Sequence, residues 1–242
     1  MAKQERAIRT RRTVLEAAAK VFGARGYEAT TIAEIIEQAG VTKGALYFHF
    51  PSKRALADAI TSNQTMGVTN VPDGSPLQWV IDLCHSVAYG LQKDPLLQAG
   101  TRIAVETLFD DSPMNPFRAW ADVLTTSLRE GQRQGEVLPH VDPRRTAELI
   151  VGSYTGVQLF SMAKTNRADL RERITELWQH LLPAVANPAV IPRLRCEGSD
   201  LLHQRVRDEF RARAERAREL SAHEGTGAPV SVAAAASADD QG

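Results

Sequence analysis

The chain has 242 residues, 43% of them apolar and 24% charged, a size and composition suited to one large globular domain or two small ones. Its formal charge is zero, yet residues 1–54 hold ten Lys/Arg against five Asp/Glu and carry +5, so the remainder carries −5 and a basic head precedes an acidic body. Two cysteines, Cys84 and Cys196, are too few for a metal knuckle or a secreted disulfide framework; no apolar run reaches the roughly eighteen residues of a membrane span, and the start MAKQERAIRTRR lacks the apolar stretch of a secretory signal. These features lead us to expect a cytoplasmic protein with no membrane contact, no metal and no other cofactor.

Helical periodicity runs through the chain and strand alternation is nearly absent. Val14, Ala18, Val21 and Phe22 share one helical face; Ile32, Ile35, Ile36 and Ala39 repeat the pattern after Thr31, a candidate N-cap, and Gly26 and Gly40 punctuate the ends. Ser52, after the break at Pro51, caps a further helix through Leu56 and Ile60, so four short helices fit into about sixty residues. A loop from Val68 to Ser75 ends in a Ser75-Pro76 helix start. Beyond it, Val80, Leu83, Cys84, Val87 and Leu91 form one core-facing stripe and Phe117, Trp120, Leu124 and Leu128 another. Loops at 94–95, 111–116, 135–143 and 165–169 leave helices over 95–109, 116–134, 143–164 and 169–182. The expected fold is all-α, a helix-turn-helix head on a helical bundle.

The domains read as a head over 1–66, a ligand-binding and dimerisation bundle over 67–187, a charged helical extension over 188–224 and a disordered tail over 225–242. In the extension, Arg205/Glu209, Glu209/Arg213 and Arg211/Glu215 stand at i, i+4 beside a narrow apolar strip. The tail, GTGAPVSVAAAASADDQG, is too poor in large apolar groups to offset its ordering entropy.

Residues 31–50, TIAEIIEQAGVTKGALYFHF, match a helix-turn-helix: one helix ends at Gly40, the chain turns through Val41 and Thr42, and a short second helix starts at Lys43. Thr42 can cap that helix while its N–H groups face a phosphate, Lys43 at the tip can donate to guanine O6 or N7, and Gly44 lets the backbone approach the duplex. Tyr47, His49, Lys53 and Thr31 are candidates for phosphate contacts. Phe48 and Phe50 are expected in the core.

From Arg11 to Leu56, centred on GYEATTIAEIIEQAGVTKGALYFHFPSKRAL, the chain resembles the DNA-binding head of the tetracycline-repressor (TetR) family. GVTKGALYFHFPSK, PFRAW around Trp120 and GSYTGVQLFS from Gly152 to Ser161 are similar to one branch of it, the γ-butyrolactone autoregulator receptors, and the resemblance spans about residues 5–185. It implies a homodimeric repressor, active in the control of secondary metabolism, that meets double-stranded DNA through Thr42, Lys43, Gly44, Tyr47, His49 and Lys53 and is released by a small diffusible signal. It also implies dimerisation through the helices at about 145–164 and 169–183, where Gly152 and Gly156 permit close approach, and hence an operator that is an inverted repeat.

The same resemblance makes Trp120 a wall of the ligand cavity; on its own pattern Trp120 reads as core, as Trp79 and Trp178 do. Thr155 and Gln158 lie on an apolar helix and need partners, which could be protein or ligand. Gln64, near the joint of head and body, is a further candidate for reporting occupancy. His85 and Arg102 could meet an acidic ligand, or serve as interhelical or surface groups. Catalysis is not expected: GSYTG places Tyr154 where a nucleophile elbow needs Ser, and no strand precedes it. The rival reading is an orphan regulator of the same type that senses an antibiotic or another apolar molecule.

Overall fold

In a computed structural model, the described residues are 2–62, 74–107, 115–200 and 204, and among them the chain is all-α, its one β-bridge pairing Val137 with Ala186. Residues 1–199 make one compact unit; of a second, 200–242, only positions 200 and 204 are described. Positions 201–203 and 205–224 of the expected charged extension and the tail therefore lie outside the described residues, as do Gln64 and the boundary drawn at 66/67. None of the described helices is long and apolar enough to cross a membrane.

The head comprises α1 (Ala2–Arg25), α2 (Ile32–Ala39), α3 (Lys43–His49) and α4 (Lys53–Ser62). Not all four are short: α1 has 24 residues. Thr31 closes a capping box with Glu34 at the start of α2, and Gly40 ends the helix at φ +62, a left-handed conformation that glycine adopts without strain. Thr42 accepts the Ala45 N–H and starts α3 immediately after the turn, while Ser52 accepts the Ala55 N–H ahead of α4. Val14, Ala18, Phe22, Ile35, Leu46, Phe50, Leu56 and Ile60 converge into one apolar cluster.

Phe48 departs from expectation. Leu46 and Phe50 take the inward face at i, i+4, which leaves Phe48 on the far side of a seven-residue helix, 78% exposed.

The body comprises α5 (Pro76–Lys93), α6 (Pro95–Glu106), α7 (Pro116–Arg133), α8 (Pro143–Thr165) and α9 (Leu170–Val185). The first four begin with proline directly after Ser75, Asp94, Asn115 and Asp142, whose side chains accept backbone N–H groups of the first turn. Proline fixes the helical φ and has no N–H to leave orphaned, and the polar residue before it satisfies the donors that follow. Leu77, Val80, Ile81, Leu128, Ile150, Ile174, Trp178 and Leu182 form the bundle core. Trp178 is fully buried and Trp79 packs partly buried against the same cluster, both as core. Helix α6 packs on α1 and α4 and so joins the body to the head.

Beyond α9 the described chain, 188–199, is not the α-helix expected from 188 onward. It is an irregular strap with a single 3-10 turn, Ile191–Arg193, because its hydrogen-bonding groups find partners on the bundle.

Candidate functional site

Two sites stand on this scaffold. The first is the outer surface of the helix-turn-helix. Thr42, Lys43, Gly44 and Tyr47 are all exposed along α3, and His49 is half-buried, its ring stacked edge-on against Phe48 at 5.0 Å. A Cβ added to Gly44 would meet nothing within 4 Å, so the helix tip is bare on the side a duplex would approach. With Phe48 outward as well, α3 presents a basic tip followed by two exposed aromatic rings.

Thr31 and Lys53 are more committed to the head itself. The Thr31 hydroxyl and N–H both donate to the Glu34 carboxylate, at 2.9 and 2.8 Å, and these bonds hold that carboxyl below its usual range. Glu34 also pairs with Arg25. Lys53 donates to the Glu28 carbonyl at 3.1 Å, and its ammonium lies 4.5 Å from the centre of the Tyr27 ring. An ammonium has three donors, so this engagement leaves capacity for a phosphate.

The second site is a hollow in the body, about 690 Å³ of atom-free space counting its mouth. Helix α5 contributes Leu83, Cys84, Val87 and Leu91, α6 contributes Leu97, Thr101 and Ala104, α7 Phe117, Trp120 and Leu124, and α8 Ile150, Val151, Tyr154, Thr155 and Gln158. The two stripes expected to face a solid core thus face the hollow over much of their length. Trp120 is at its wall.

Three of the hollow's polar side chains lie on α8, and Thr101 on α6 adds a further hydroxyl. Gln158 is 1% exposed, and among the described residues neither its amide nitrogen nor its oxygen has a partner; the buried Tyr154 hydroxyl has none there either. Burial raises the Tyr154 pKa well above its usual value, so the hydroxyl stays protonated and can donate or accept. Thr155 donates to the Val151 carbonyl at 2.8 Å, which leaves its oxygen free to accept. Burying an unpaired amide costs about 1–3 kcal/mol, a penalty that a ligand with matching polar atoms would remove.

By its sequence pattern Tyr154 is only the wrong residue for a nucleophile elbow. The available signal was its place one turn before Gln158 and beside Thr155 on the same helix. Cys84 is another wall residue, its thiol pushed up to about 12 by burial, so it reacts only when the wall opens to solvent. His85 and Arg102 do not reach the hollow. His85 bonds the Cys196 carbonyl at 2.7 Å, and Arg102 pairs with Glu106 at 2.7 Å and donates to the Gly23 carbonyl at 2.7 Å.

Helix α6 connects the two sites. Leu97, Thr101 and Ala104 recur at i, i+4, i+7 and line the hollow, whereas Ala99 and Ile103 are buried in the core of the head. Any shift of α6 that accommodates a ligand moves residues packed directly against α1 and α4.

Comparison with known proteins agrees with this layout. Residues 14–60 match the tetR family of bacterial regulatory proteins, and residues 74–187 match the tetracyclin repressor-like C-terminal domain. The chain is 42% identical over 232 residues to the A-factor receptor protein of Streptomyces griseus, covering 96% of this chain and 84% of that protein. Among solved structures it is similar to TylP, a TetR regulator from Streptomyces fradiae, with 42% identity, a TM-score of 0.72 and coverage of 86% and 92% of the two chains. It is also similar to a γ-butyrolactone receptor described as ArpA-like, with 31% identity, a TM-score of 0.65 and coverage of 84% and 98%. With two family models matched in turn along the head and the body, and a 42% identical relative aligned over 96% of the sequence, the chain belongs to the TetR family of bacterial regulatory proteins.

Proposed function

We propose that the chain is a homodimeric transcriptional repressor that binds an inverted-repeat operator and is released by a small γ-butyrolactone-like molecule, acting in the cytoplasm and without catalysis. The observation that carries the reading is α6, which lines the hollow with one face and builds the core of the head with the other. The ligand class rests on the A-factor receptor and the γ-butyrolactone receptor as relatives and on the lining itself, mostly aliphatic and aromatic with an amide and two hydroxyls on one helix.

Lys43 at the tip of α3 reads base edges, while Thr42, Gly44, Tyr47, His49 and Lys53 hold the phosphates. Thr31 serves first as the cap that fixes α2 in front of the recognition helix. In the body, Trp120 walls the ligand, and Gln158 and Thr155 pair with its polar atoms. Gln64, outside the described residues, stays a candidate reporter of ligand occupancy.

The dimer is supported by an unusual stripe on α8. Leu149 and Phe160 are 57% and 58% exposed, and between them Gly152 and Gly156 have open space where a side chain would stand. These four positions, at i, i+3, i+7 and i+11, share one helical face, where two large apolar residues flank a smooth backbone suited to a second α8. Pairing sets two recognition helices about 34–36 Å apart, or a multiple of it. A ligand that favours a conformer with the wrong spacing lowers DNA affinity by its differential binding, typically about 1–3 kcal/mol.

The test selects duplexes from a random pool with the purified protein, then titrates the bound duplex with synthetic γ-butyrolactones bearing alkanoyl chains. Selection of a palindrome and its release by lactone is the expected result. No preference for palindromic over random duplex at physiological salt defeats the reading, and release by an antibiotic but not by lactones replaces the ligand class alone.

A further inference from the structure

Helix α5 is held from two sides. At about 100° per residue, Gln78, Asp82 and His85 fall on one face, opposite the face on which Leu83, Cys84, Val87 and Leu91 line the hollow. The first face is covered by the chain that follows α9. Gln78 donates from Nε2 to the Arg195 carbonyl at 3.1 Å and accepts the Arg195 N–H on Oε1 at 2.7 Å. Asp82 accepts the Ser199 N–H on one carboxylate oxygen at 2.8 Å and the Ser199 hydroxyl on the other at 2.5 Å. Gln78 Nε2 also donates to Asp82 at 2.8 Å, which ties the two side chains together. His85, 2% exposed, bonds the Cys196 carbonyl through Nε2, and since a carbonyl only accepts, that nitrogen carries the proton.

The segment is anchored upstream as well. Asn187 donates its N–H to the Glu136 carbonyl at 2.8 Å and its side-chain amide to the Gly135 carbonyl at 3.1 Å. The Glu136 carboxylate in turn accepts from the Ser75 hydroxyl and the Leu77 N–H, at 2.9 and 3.0 Å, at the start of α5. Leu194 and Cys196 pack against the bundle core. A passive appendage would leave its backbone groups to water; here three α5 side chains, each one turn from the next, are matched to groups within five consecutive residues. These residues lie beyond 74–187, the stretch that matches the regulator domain.

We propose that residues 195–199 form a clasp that sets the position of α5 as a wall of the hollow, so that Gln78, Asp82 and His85 are positioning residues controlling access to it. The consequence for sensing rests on the ligand-cavity reading above; the mechanical claim does not, and it is tested without ligand or DNA.

Cys84 in the wall is the reporter. In full-length protein carrying Cys196→Ser, which keeps the carbonyl that His85 uses, the rate of Cys84 labelling by a maleimide and the hydrogen exchange of α5 amides are compared across Asp82→Ala, Ser199→Ala and Ser199→Thr. Loss of a charged hydrogen-bonded anchor should raise both rates about tenfold in Asp82→Ala, raise them less in Ser199→Ala, and leave them unchanged in Ser199→Thr, with exchange in α1–α4 constant throughout. Unchanged Cys84 labelling and α5 exchange in Asp82→Ala overturn the clasp, and so does an equal rise in the head, which marks general loss of stability. Should Asp82→Ala fail to fold, the Ser199 pair decides: Ser199→Ala indistinguishable from the parent, or Ser199→Thr as fast as Ser199→Ala, overturns the proposal.

Discussion

The Glu106 carboxylate at the end of α6 accepts the backbone N–H of Tyr27 at 2.6 Å, while its other oxygen takes the Arg102 guanidinium at 2.7 Å. This bond ties the helix that lines the hollow to the turn between α1 and α2. The turn can come so close only because Gly26 stands there at φ +85, where a Cβ would lie 2.7 Å from the Glu106 carboxylate. Gly26→Ala therefore forces a choice between a strained left-handed alanine against the carboxylate and a Glu106 side chain swung off Tyr27. Either route should cost about 1–3 kcal/mol and lower the melting temperature. An unchanged melting temperature would mean the joint is loose enough to absorb the methyl.

The unpartnered Gln158 amide predicts a trade between stability and response. Gln158→Leu removes two orphaned polar atoms from an apolar wall, so the ligand-free protein should gain about 1 kcal/mol or more in thermal unfolding while operator release by lactone is lost. Trp120→Ala should also lose release but without the gain, because it enlarges the hollow and removes apolar contact. DNA binding should survive in both. A Gln158→Leu protein that melts below wild type shows that the amide has a partner in solution.

Much of the fold was legible because its signals are local. Ser75-Pro76, Asp94-Pro95, Asn115-Pro116 and Asp142-Pro143 each combine a capping side chain with a fixed φ, and each opens a helix of the body. Thr31 followed by Glu34 likewise specifies its own capping box. What could not be read locally was the direction of side chains in packed space. Periodicity marks Val87 and Phe117 as inward but does not distinguish a filled interior from a hollow one. Phe48 appeared to belong inside because it is aromatic, yet Leu46 and Phe50 already fill the inner face of a helix too short to offer a second one. The strap after Asn187 carries no periodicity at all; its order comes from Gln78, Asp82 and His85, over 100 residues earlier in the chain.

Lys43 and Lys53 should separate in a salt titration. Lys43 is exposed at the tip of α3, whereas Lys53 is anchored on Glu28 and Tyr27; the proposed reading gives the first a base contact and the second a phosphate contact. Lys43→Ala is expected to relax base preference at one position by about 1–3 kcal/mol, and Lys53→Ala to weaken all duplexes alike and reduce the salt slope by about one. Equal loss of selectivity in the two variants would contradict this division.

The turn from α8 to α9 gives the protein an acid-sensitive joint. Asn166 and Arg167 both occupy the left-handed region, at φ 51 and 66, and Asp169 holds the turn by accepting from Ser161 at 2.5 Å, Thr165 at 2.7 Å and Arg173 at 2.8 Å. Arg173 first, then the two hydroxyls, hold the Asp169 carboxyl well below the usual carboxylate range. A carboxyl whose folded pKa is depressed contributes stability that is fully present above its unfolded value, about 3.9, and that is lost as pH falls below that value toward the folded one. Wild type should therefore lose melting temperature between about pH 5 and pH 3. Asp169→Asn, which keeps one acceptor oxygen but loses the charge and the second acceptor, should melt lower at pH 7 and lose less on acidification. Scanning calorimetry of both proteins at pH 7, 5 and 3.5 decides the matter: parallel curves would mean that the acid response of the fold arises elsewhere, and that the left-handed pair is held by backbone geometry without the carboxylate's charge.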